Sequence, residues 1–187
     1  GSFRPSPPSV PPPAPTARRD AESLAPPPPK APDESFIAPA TLVETTSVLV
    51  ALLEQGREEL RAHSSQVARL SRKVLERIGV DEGLMTAVVL AAHLHDVGKA
   101  APYHLTALNV AQYDGHRAQA QKSYLAPSRL FESAQLPKAT LEVLAHLYER
   151  FDGQGFPERV GGRDIPLGSR VLAVVESLDE AAGGPPS

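Results

Sequence analysis

The chain of 187 residues has no cysteine and no tryptophan, and it contains a single methionine. Without cysteine it can form neither a disulfide framework nor a thiolate zinc site. Any bound metal ion would therefore need histidine and carboxylate ligands. A chain without disulfides is typical of the cytoplasm, which is the location we expect.

The sequence also lacks an excess of one charge and lacks a long hydrophobic run. Its 19 Lys and Arg against 22 Asp and Glu give a net charge of −3 with neutral histidines, which offers no basic surface for DNA, RNA or an anionic membrane. No apolar run approaches the roughly 20 residues that a membrane-spanning helix needs, and the first residues do not resemble a signal peptide. We expect no DNA or RNA partner and no membrane association.

Proline is unevenly distributed, and its distribution divides the chain. Twelve of the 20 prolines lie within the first 33 residues, in runs that favour an extended polyproline II spacer. We predict a disordered linker over residues 1–35, with a docked ligand for an aromatic-lined groove as the alternative. A helical domain is expected over residues 36–180, which is long enough to bury a core, and a disordered tail over residues 181–187.

Apolar periodicity predicts an all-α helical bundle. Apolar residues recur every three or four positions, which is the spacing of one helix face, and no stretch alternates as a strand does. Gly56 and Gly79 are expected to stop the first two helices. The predicted helices cover residues 40–54, 58–78, 82–97, 128–133, 137–151 and 169–179, and a Gly/Pro-rich loop is predicted over residues 152–168.

Two of these helices direct histidines toward the core. His63 lies three residues after Leu60 and four before Val67, so it shares their apolar face. His95 continues the apolar face of the central helix, and Asp96 follows it directly. An ionised carboxylate is costly to bury unless it is paired or binds a metal. A metal site and ordinary core histidines therefore stay open as alternatives at this point.

Longer motifs around these residues resemble a known family. The sequence HDVGK at residues 95–99, with His63 before it and ERFDGQGFP at residues 149–157 after it, resembles the HD-GYP family of bacterial signalling domains. The similarity continues through IPL at residues 165–167 and SRVLAV at residues 169–174. This branch of the HD phosphohydrolase superfamily is all-α, binds two or three iron, manganese or similar ions, and hydrolyses cyclic di-GMP. The resemblance implies the same fold and substrate class here.

The resemblance also implies site residues. His63, His95 and Asp96 match three metal ligands of the family, and Glu176 stands where the family has a metal-binding aspartate. Lys99 matches the lysine near the substrate phosphate, so Asp96 and Lys99 would carry the chemistry.

The loop with the family signature is the candidate for contact with substrate or with a partner such as a diguanylate cyclase domain. We expect Phe156, which replaces the tyrosine of the signature, to form an exposed apolar tip with Pro157; a core position for Phe156 is the alternative. The candidate contact residues are Asp152, Gly153, Gly155, Phe156, Pro157 and Arg170.

The chain departs from the family where further metal ions would bind. Leu147 and Tyr148 stand in place of two adjacent histidines, and Ser123 stands near the position of another. Helical phase turns Leu147 and Tyr148 inward. At most one divalent metal ion, or none, is therefore expected. The other histidines are interpreted as non-ligands: His146 as a surface residue, His116 as a loop residue, and His93 and His104 as structural.

These observations predict a degenerate HD-GYP domain in cyclic di-GMP signalling, a regulatory module that binds a protein or a nucleotide and has impaired catalysis. The alternatives are a metal-dependent cyclic di-GMP phosphodiesterase and a metal-free scaffold similar to the HDOD domains. The intact HDVGK motif argues against the scaffold, and the loss of second-metal ligands argues against the phosphodiesterase. The sequence does not decide whether the chain forms a homodimer.

Overall fold

The structure is a computed structural model that describes residue 1 and residues 38–57, 60–99, 101 and 103–183. These residues are largely helical and include no strand, which confirms the predicted all-α class. The linker predicted over residues 1–35 lies outside the described residues, apart from residue 1, and so does the tail from residue 184 onward. Contacts divide the chain into Gly1–Phe36 and Ile37–Ser187, and only the second unit is described below.

Eight α-helices and two short 3₁₀ helices form the described part of this unit. None of these helices is both long enough and apolar enough to cross a bilayer. The 3₁₀ helices are Glu132–Ala134 and Gly162–Asp164. The α-helices are α1 (Pro39–Glu54), α2 (His63–Ile78), α3 (Glu82–Leu94), α4 (Ala107–Gln112), α5 (Asp114–Ser123), α6 (Ala126–Leu130), α7 (Lys138–Ala145) and α8 (Leu167–Ala181).

Helix α3 lies at the centre of the bundle. Its sequence is apolar on nearly every side, which is typical of a fully buried helix, and nine of its 13 residues are buried. The Asp81 side chain caps its first turn by accepting a hydrogen bond from the Leu84 N–H at 2.9 Å. Helices α1, α2, α7 and α8 pack around α3. The residues that follow α3, His95 and Asp96, therefore lie inside the bundle.

Several helices differ from their predicted extent. The helix predicted over residues 58–78 begins at His63, after Ala62 adopts a left-handed backbone conformation with φ 64°. The helices predicted over residues 82–97 and 137–151 end early, at Leu94 and Ala145. Helices α4 and α5 were not expected, because one is short and the other is mostly polar. His116, interpreted as a loop residue, lies in α5.

The loop between α7 and α8 folds back on the bundle. Gly155 is required in it, since a Cβ at this position would collide with backbone atoms of Glu149 and Arg150. Directly after this close approach, the Phe156 N–H donates a hydrogen bond to the Tyr148 backbone O at 3.2 Å. The Phe156 ring then stacks on the Tyr148 ring, with 5.4 Å between centroids.

The prediction of an exposed Phe156 tip is wrong, because the backbone turn at Gly155 directs the ring into the core. Phe156 is only 6% exposed, and the core position given as the alternative is confirmed. Pro157 is exposed. The exposed aromatic side chain of this region is Phe151, which is 70% exposed.

Replacing Phe156 by alanine should lower the free energy of unfolding by about 3–5 kcal/mol, because the ring fills a buried position. Phe151→Ala removes the same group from an exposed position and should change the free energy of unfolding by less than about 0.5 kcal/mol. Urea denaturation of both variants beside the parent protein measures the difference. Equal losses in the two variants would contradict the burial of Phe156.

Candidate metal centre

Four buried side chains meet beyond the C-terminal end of α3. His63 begins α2, His95 and Asp96 directly follow α3, and His104 lies in the connection before α4. One ligand atom from each residue lies within 4.8 Å of those from the other three. Among the described residues this is the only such group of potential metal ligands. Imidazole and carboxylate ligands suit zinc, iron and similar divalent ions.

Asp96 Oδ2 is the common point of contact in this cluster. It lies 2.7 Å from His104 Nε2, 3.1 Å from His95 Nε2 and 3.6 Å from His63 Nε2. Ligand atoms at about 2.1 Å from a shared ion would lie roughly 3.0–3.5 Å from one another. The separations from Asp96 Oδ2 are close to this range.

The hydrogen bonds of His63 Nδ1 and His95 Nδ1 determine which ring nitrogen of each histidine faces the cluster. His63 Nδ1 lies 2.8 Å from Asp179 Oδ2, and His95 Nδ1 lies 2.7 Å from the Ala92 backbone O. Both partners are acceptors, so each Nδ1 carries the proton and each Nε2 of a neutral ring presents a lone pair. The two Nε2 atoms are 3.3 Å apart, and two lone pairs at this distance repel unless a proton or a metal ion lies between them. The donor set therefore fits a metal ion.

Two further charged residues border the cluster. Glu176 on α8 is fully buried, and its Oε1 lies 3.0 Å from His95 Nε2 without forming a hydrogen bond. Its Oε2 accepts from the Ala107 N–H at 3.3 Å. On the other side of Asp96, Lys99 Nζ donates to Asp96 Oδ1 at 3.4 Å. Glu176 therefore has one carboxylate oxygen directed at the cluster and available to a cation.

Burial and charge act in opposite directions on the pKa values of the cluster. Burial lowers the pKa of His63, and the neighbouring His95 lowers it further. Burial also lowers the pKa of His95, but the charges of Asp96 and Glu176 outweigh this effect and raise it to about 10. Although burial raises the pKa of both carboxyls, the neighbouring His95 holds the pKa of Asp96 and of Glu176 below the usual values. The cluster thus favours the ionised form of the Asp96 and Glu176 carboxyls and a positive charge beside them.

Two cavities adjoin the cluster. The larger, about 520 Å³, is bordered by Asp96 and is within the usual size range of ligand pockets. The smaller, about 10 Å³, is lined in part by Asp96, Lys99 and His104 and is large enough for one water molecule. Besides Asp96, the charged side chains that line the larger cavity are Glu54 and Arg57. Its apolar side chains are Val50, Leu53, Leu60, Val97, Leu130 and Phe131.

Comparison with known proteins agrees with this geometry. The profile of the HD domain family matches residues 47–187. The chain belongs to the HD domain family. This assignment explains why a histidine and an aspartate stand side by side at the end of the central helix.

Three bacterial relatives of this HD domain are phosphodiesterases by name. The cyclic di-GMP phosphodiesterase of Thermotoga maritima is 28% identical over 141 residues, covering 74% of this chain and 38% of the relative. The 3′3′-cGAMP-specific phosphodiesterase 2 of Vibrio cholerae is 28% identical over 145 residues, covering 74% and 28%. The cyclic di-GMP phosphodiesterase response regulator RpfG of Xanthomonas campestris pv. campestris is 28% identical over 140 residues, covering 73% and 37%. The chain therefore spans well under half the length of these relatives.

The HD domain brings together the residues singled out in the sequence. His63, His95 and Asp96 contribute to one cluster, and Glu176 and Lys99 border it. Their roles as metal ligands and catalytic groups stay predictions. Their convergence follows from helical phase for His63 and from the end of α3 for His95 and Asp96.

The sequence analysis missed two residues of this centre. His104 was interpreted as structural, yet its Nε2 is a member of the cluster. It lies in an irregular connection, where periodicity gives no information on side-chain direction; its only signal was a histidine close after an HD pair. Asp179 was missed as the partner of His63, although it stands on α8 one turn after Glu176.

The residues at or near the positions where the resemblance implies further metal ligands do not belong to the cluster. Leu147 and Tyr148 are buried, as predicted, although they lie in turns after α7. His146 is partly buried rather than on the surface, and its Nδ1 hydrogen-bonds to the Glu142 backbone O at 2.8 Å, outside the cluster. Ser123 donates to the Gln119 backbone O at 3.1 Å.

The predicted contact residues in the loop, and Arg170 on α8, do not belong to the group of four clustered side chains. Asp152 accepts hydrogen bonds from Arg150 Nε and Nη2 at 2.9 and 2.5 Å, and these hydrogen bonds lower the pKa of Asp152 to about 2. Gly153 adopts a left-handed backbone with φ 74°. Arg170 is partly buried, and its Nε has no hydrogen-bond partner. Contact of these residues with a substrate or partner stays a prediction.

His104→Ala should weaken Mn²⁺ binding by at least about tenfold, since it removes a nitrogen ligand from the cluster. The matched control is His146→Ala, which removes an imidazole that lies outside the cluster and should leave the affinity unchanged. Isothermal titration calorimetry of both variants measures the two effects. An unchanged affinity in His104→Ala would exclude His104 as a ligand.

Asp179→Asn should weaken Mn²⁺ binding by about 10–100-fold, the usual effect of losing the carboxylate that orients a ligating histidine. The amide keeps the size of the side chain but removes the charge that holds the proton on His63 Nδ1. Glu142→Gln, at an exposed position of α7, serves as the matched carboxylate control. Equal affinities in the two variants would show that Asp179 does not act on the metal site.

Proposed function

We propose that this HD domain binds one divalent metal ion and recognises a cyclic dinucleotide of the cyclic di-GMP class in a regulatory role, with slow hydrolysis. The observation that carries the proposal is the buried group of His63, His95, Asp96 and His104. The convergence of three imidazoles and one carboxylate on a common point supports a metal centre over a metal-free scaffold.

Each residue of the centre has a proposed task. His63, His95, Asp96 and His104 would hold the ion, and Glu176 would add a ligand or balance its charge. When bound, the ion would lower the pKa of a water molecule and neutralise charge on a phosphate. The two cavities beside Asp96 would receive the nucleotide, a phosphate oxygen in the small one and an apolar part of the ligand in the large one.

Slow hydrolysis follows from the number of ligands. The usual phosphodiester mechanism of multinuclear centres uses one ion to activate water and another to stabilise charge on the phosphate. Leu147 offers no ligand atom, and the Tyr148 hydroxyl already accepts from Lys99 and donates to the Leu105 backbone O. A second ion would therefore lack ligands at these positions.

The proposed ligand class rests on the relatives. Two of them are named for cyclic di-GMP and one for 3′3′-cGAMP, so both cyclic dinucleotides are candidates. A diguanylate cyclase domain stays a proposed protein partner, with the loop around exposed Phe151 and Pro157 as the surface. Residues 36–180 would form the domain, and residues 1–35 a spacer.

A working phosphodiesterase is the second candidate, and two observations favour it. His104 brings the number of clustered ligand residues to four, and Lys99 places a positive charge against Asp96. Both features would assist hydrolysis at a single-metal centre.

Metal analysis and an anaerobic assay distinguish the candidates. With Fe²⁺ or Mn²⁺ supplied, the chain should bind one equivalent of metal and bind cyclic di-GMP or 3′3′-cGAMP, with turnover well below about 1 per second. Turnover at or above that rate, abolished by His95→Ala, would instead establish the phosphodiesterase. A chain that binds no metal would contradict the proposal and favour a scaffold.

A further inference from the structure

A series of hydrogen bonds connects the metal centre with the surface of the bundle. His63 Nδ1 lies 2.8 Å from Asp179 Oδ2, and Asp179 Oδ1 accepts a hydrogen bond from Gln66 Nε2 at 2.9 Å. Gln66 Oε1 in turn accepts from Arg69 Nη2 at 3.1 Å. His63 and Asp179 are buried, whereas Gln66 and Arg69 are exposed. These four side chains therefore join a candidate metal ligand to solvent.

The spacing of three residues on α2 produces this series. His63, Gln66 and Arg69 follow one another at intervals of three on the same helix. Three residues fall short of a full helical turn by about 60°, so successive side chains move around the helix from the buried face toward solvent. Asp179 lies near the end of α8, which packs against α2. The series therefore depends on the contact between two helices and not on a loop.

The groups at its two ends determine the orientation of the Gln66 amide. An ionised carboxylate only accepts hydrogen bonds, and a guanidinium only donates them. The amide must therefore direct its NH₂ group to Asp179 and its oxygen to Arg69. The reverse orientation would break both hydrogen bonds, so Arg69 selects the orientation in which Gln66 donates to Asp179.

The Asp179 carboxylate is consequently held at both of its oxygens. A carboxylate with one partner can rotate about its Cβ–Cγ bond, but here rotation would break the hydrogen bond from Gln66 or the contact with His63. Oδ2 therefore stays at His63 Nδ1. A partner that keeps the proton on Nδ1 leaves the lone pair of Nε2 directed at the cluster.

We propose that Gln66 is a positioning residue of the metal centre, which holds Asp179 in the orientation that His63 needs to bind the ion. Arg69 supports this role by fixing the amide. Neither residue contributes a ligand atom to the cluster, so both act through Asp179 and His63. The inference rests on the proposed function, because it concerns the affinity of the same metal site.

Gln66→Met removes the donor to Asp179 and keeps an unbranched side chain of similar length. Mn²⁺ affinity should fall by about threefold to tenfold, less than on loss of Asp179 itself, because Gln66 acts one hydrogen bond further from the ion. Gln121→Met makes the same chemical change at an exposed position of α5 and should leave the affinity unchanged. Calorimetry on the full chain measures both affinities.

Gln66→Glu separates positioning from simple attraction of charge by the sign of its effect. A carboxylate near a cation site attracts the ion, so charge alone would tighten Mn²⁺ binding. Positioning predicts the opposite, because a second carboxylate facing Asp179 Oδ1 would repel it and move it away from His63. The affinity of Gln66→Glu should therefore fall at least as far as that of Gln66→Met. Gln121→Glu adds the same charge on α5 and should not weaken binding.

A double-mutant cycle shows whether Gln66 acts through Asp179. Gln66→Met should change Mn²⁺ affinity by less than about twofold when Asp179→Asn is already present, since the charge that it positions is gone. A residue that only stabilises the fold would lower the affinity by the same factor in both backgrounds. If Asp179→Asn binds Mn²⁺ too weakly for the cycle, the sign of the Gln66→Glu effect decides.

Gln66 is exposed, so its variants should fold, and circular dichroism confirms this before each titration. Unchanged affinity in Gln66→Met, tighter binding in Gln66→Glu, or equal effects in the two backgrounds of the cycle would each overturn the positioning role and leave the proposed function intact. A parent protein that binds no Mn²⁺ would overturn this inference together with the proposed function.

Discussion

The buried negative charge of Asp96 is the constraint on which the rest of this centre depends. A carboxylate removed from water is unstable unless cations or hydrogen-bond donors surround it. Here imidazoles contact one of its oxygens and an ammonium the other. These groups come from the start of α2, the end of α3 and the connection before α4, so the packing of the bundle around α3 is what makes the site possible.

The charge of the centre agrees with one divalent ion. Asp96, Glu176 and Asp179 are buried and contact the imidazoles, and Lys99 is the buried ammonium that contacts Asp96. With ionised carboxylates and neutral rings, the three negative charges and one positive charge leave a net charge of −2. A protonated His95 offsets only half of that charge. A divalent ion offsets all of it.

Helical phase made part of this centre predictable from sequence. His63 lies on a regular helix, where a period of 3.6 residues determines which side chains face the core. Glu176 was expected only from the resemblance to the HD-GYP family. No such rule applies to His104, whose direction depends on the course of an irregular connection. Phe156 was misjudged for a similar reason. A Gly-rich loop read from sequence suggests exposure, whereas the close backbone approach at Gly155 returns the ring to the core.

Tyr148 connects the Gly/Pro-rich loop to the buried charges of the site. Its hydroxyl holds Lys99 against Asp96, and its ring stacks on Phe156, which also contacts Tyr124 edge to face at 5.7 Å. A continuous series of contacts therefore runs from the Gly/Pro-rich loop through Tyr148 and Lys99 to Asp96. A histidine at this position could bind a metal ion, but the phenol instead joins the loop to the charge of the centre. The hydroxyl of Tyr148 thereby orients the ammonium that contacts Asp96 Oδ1.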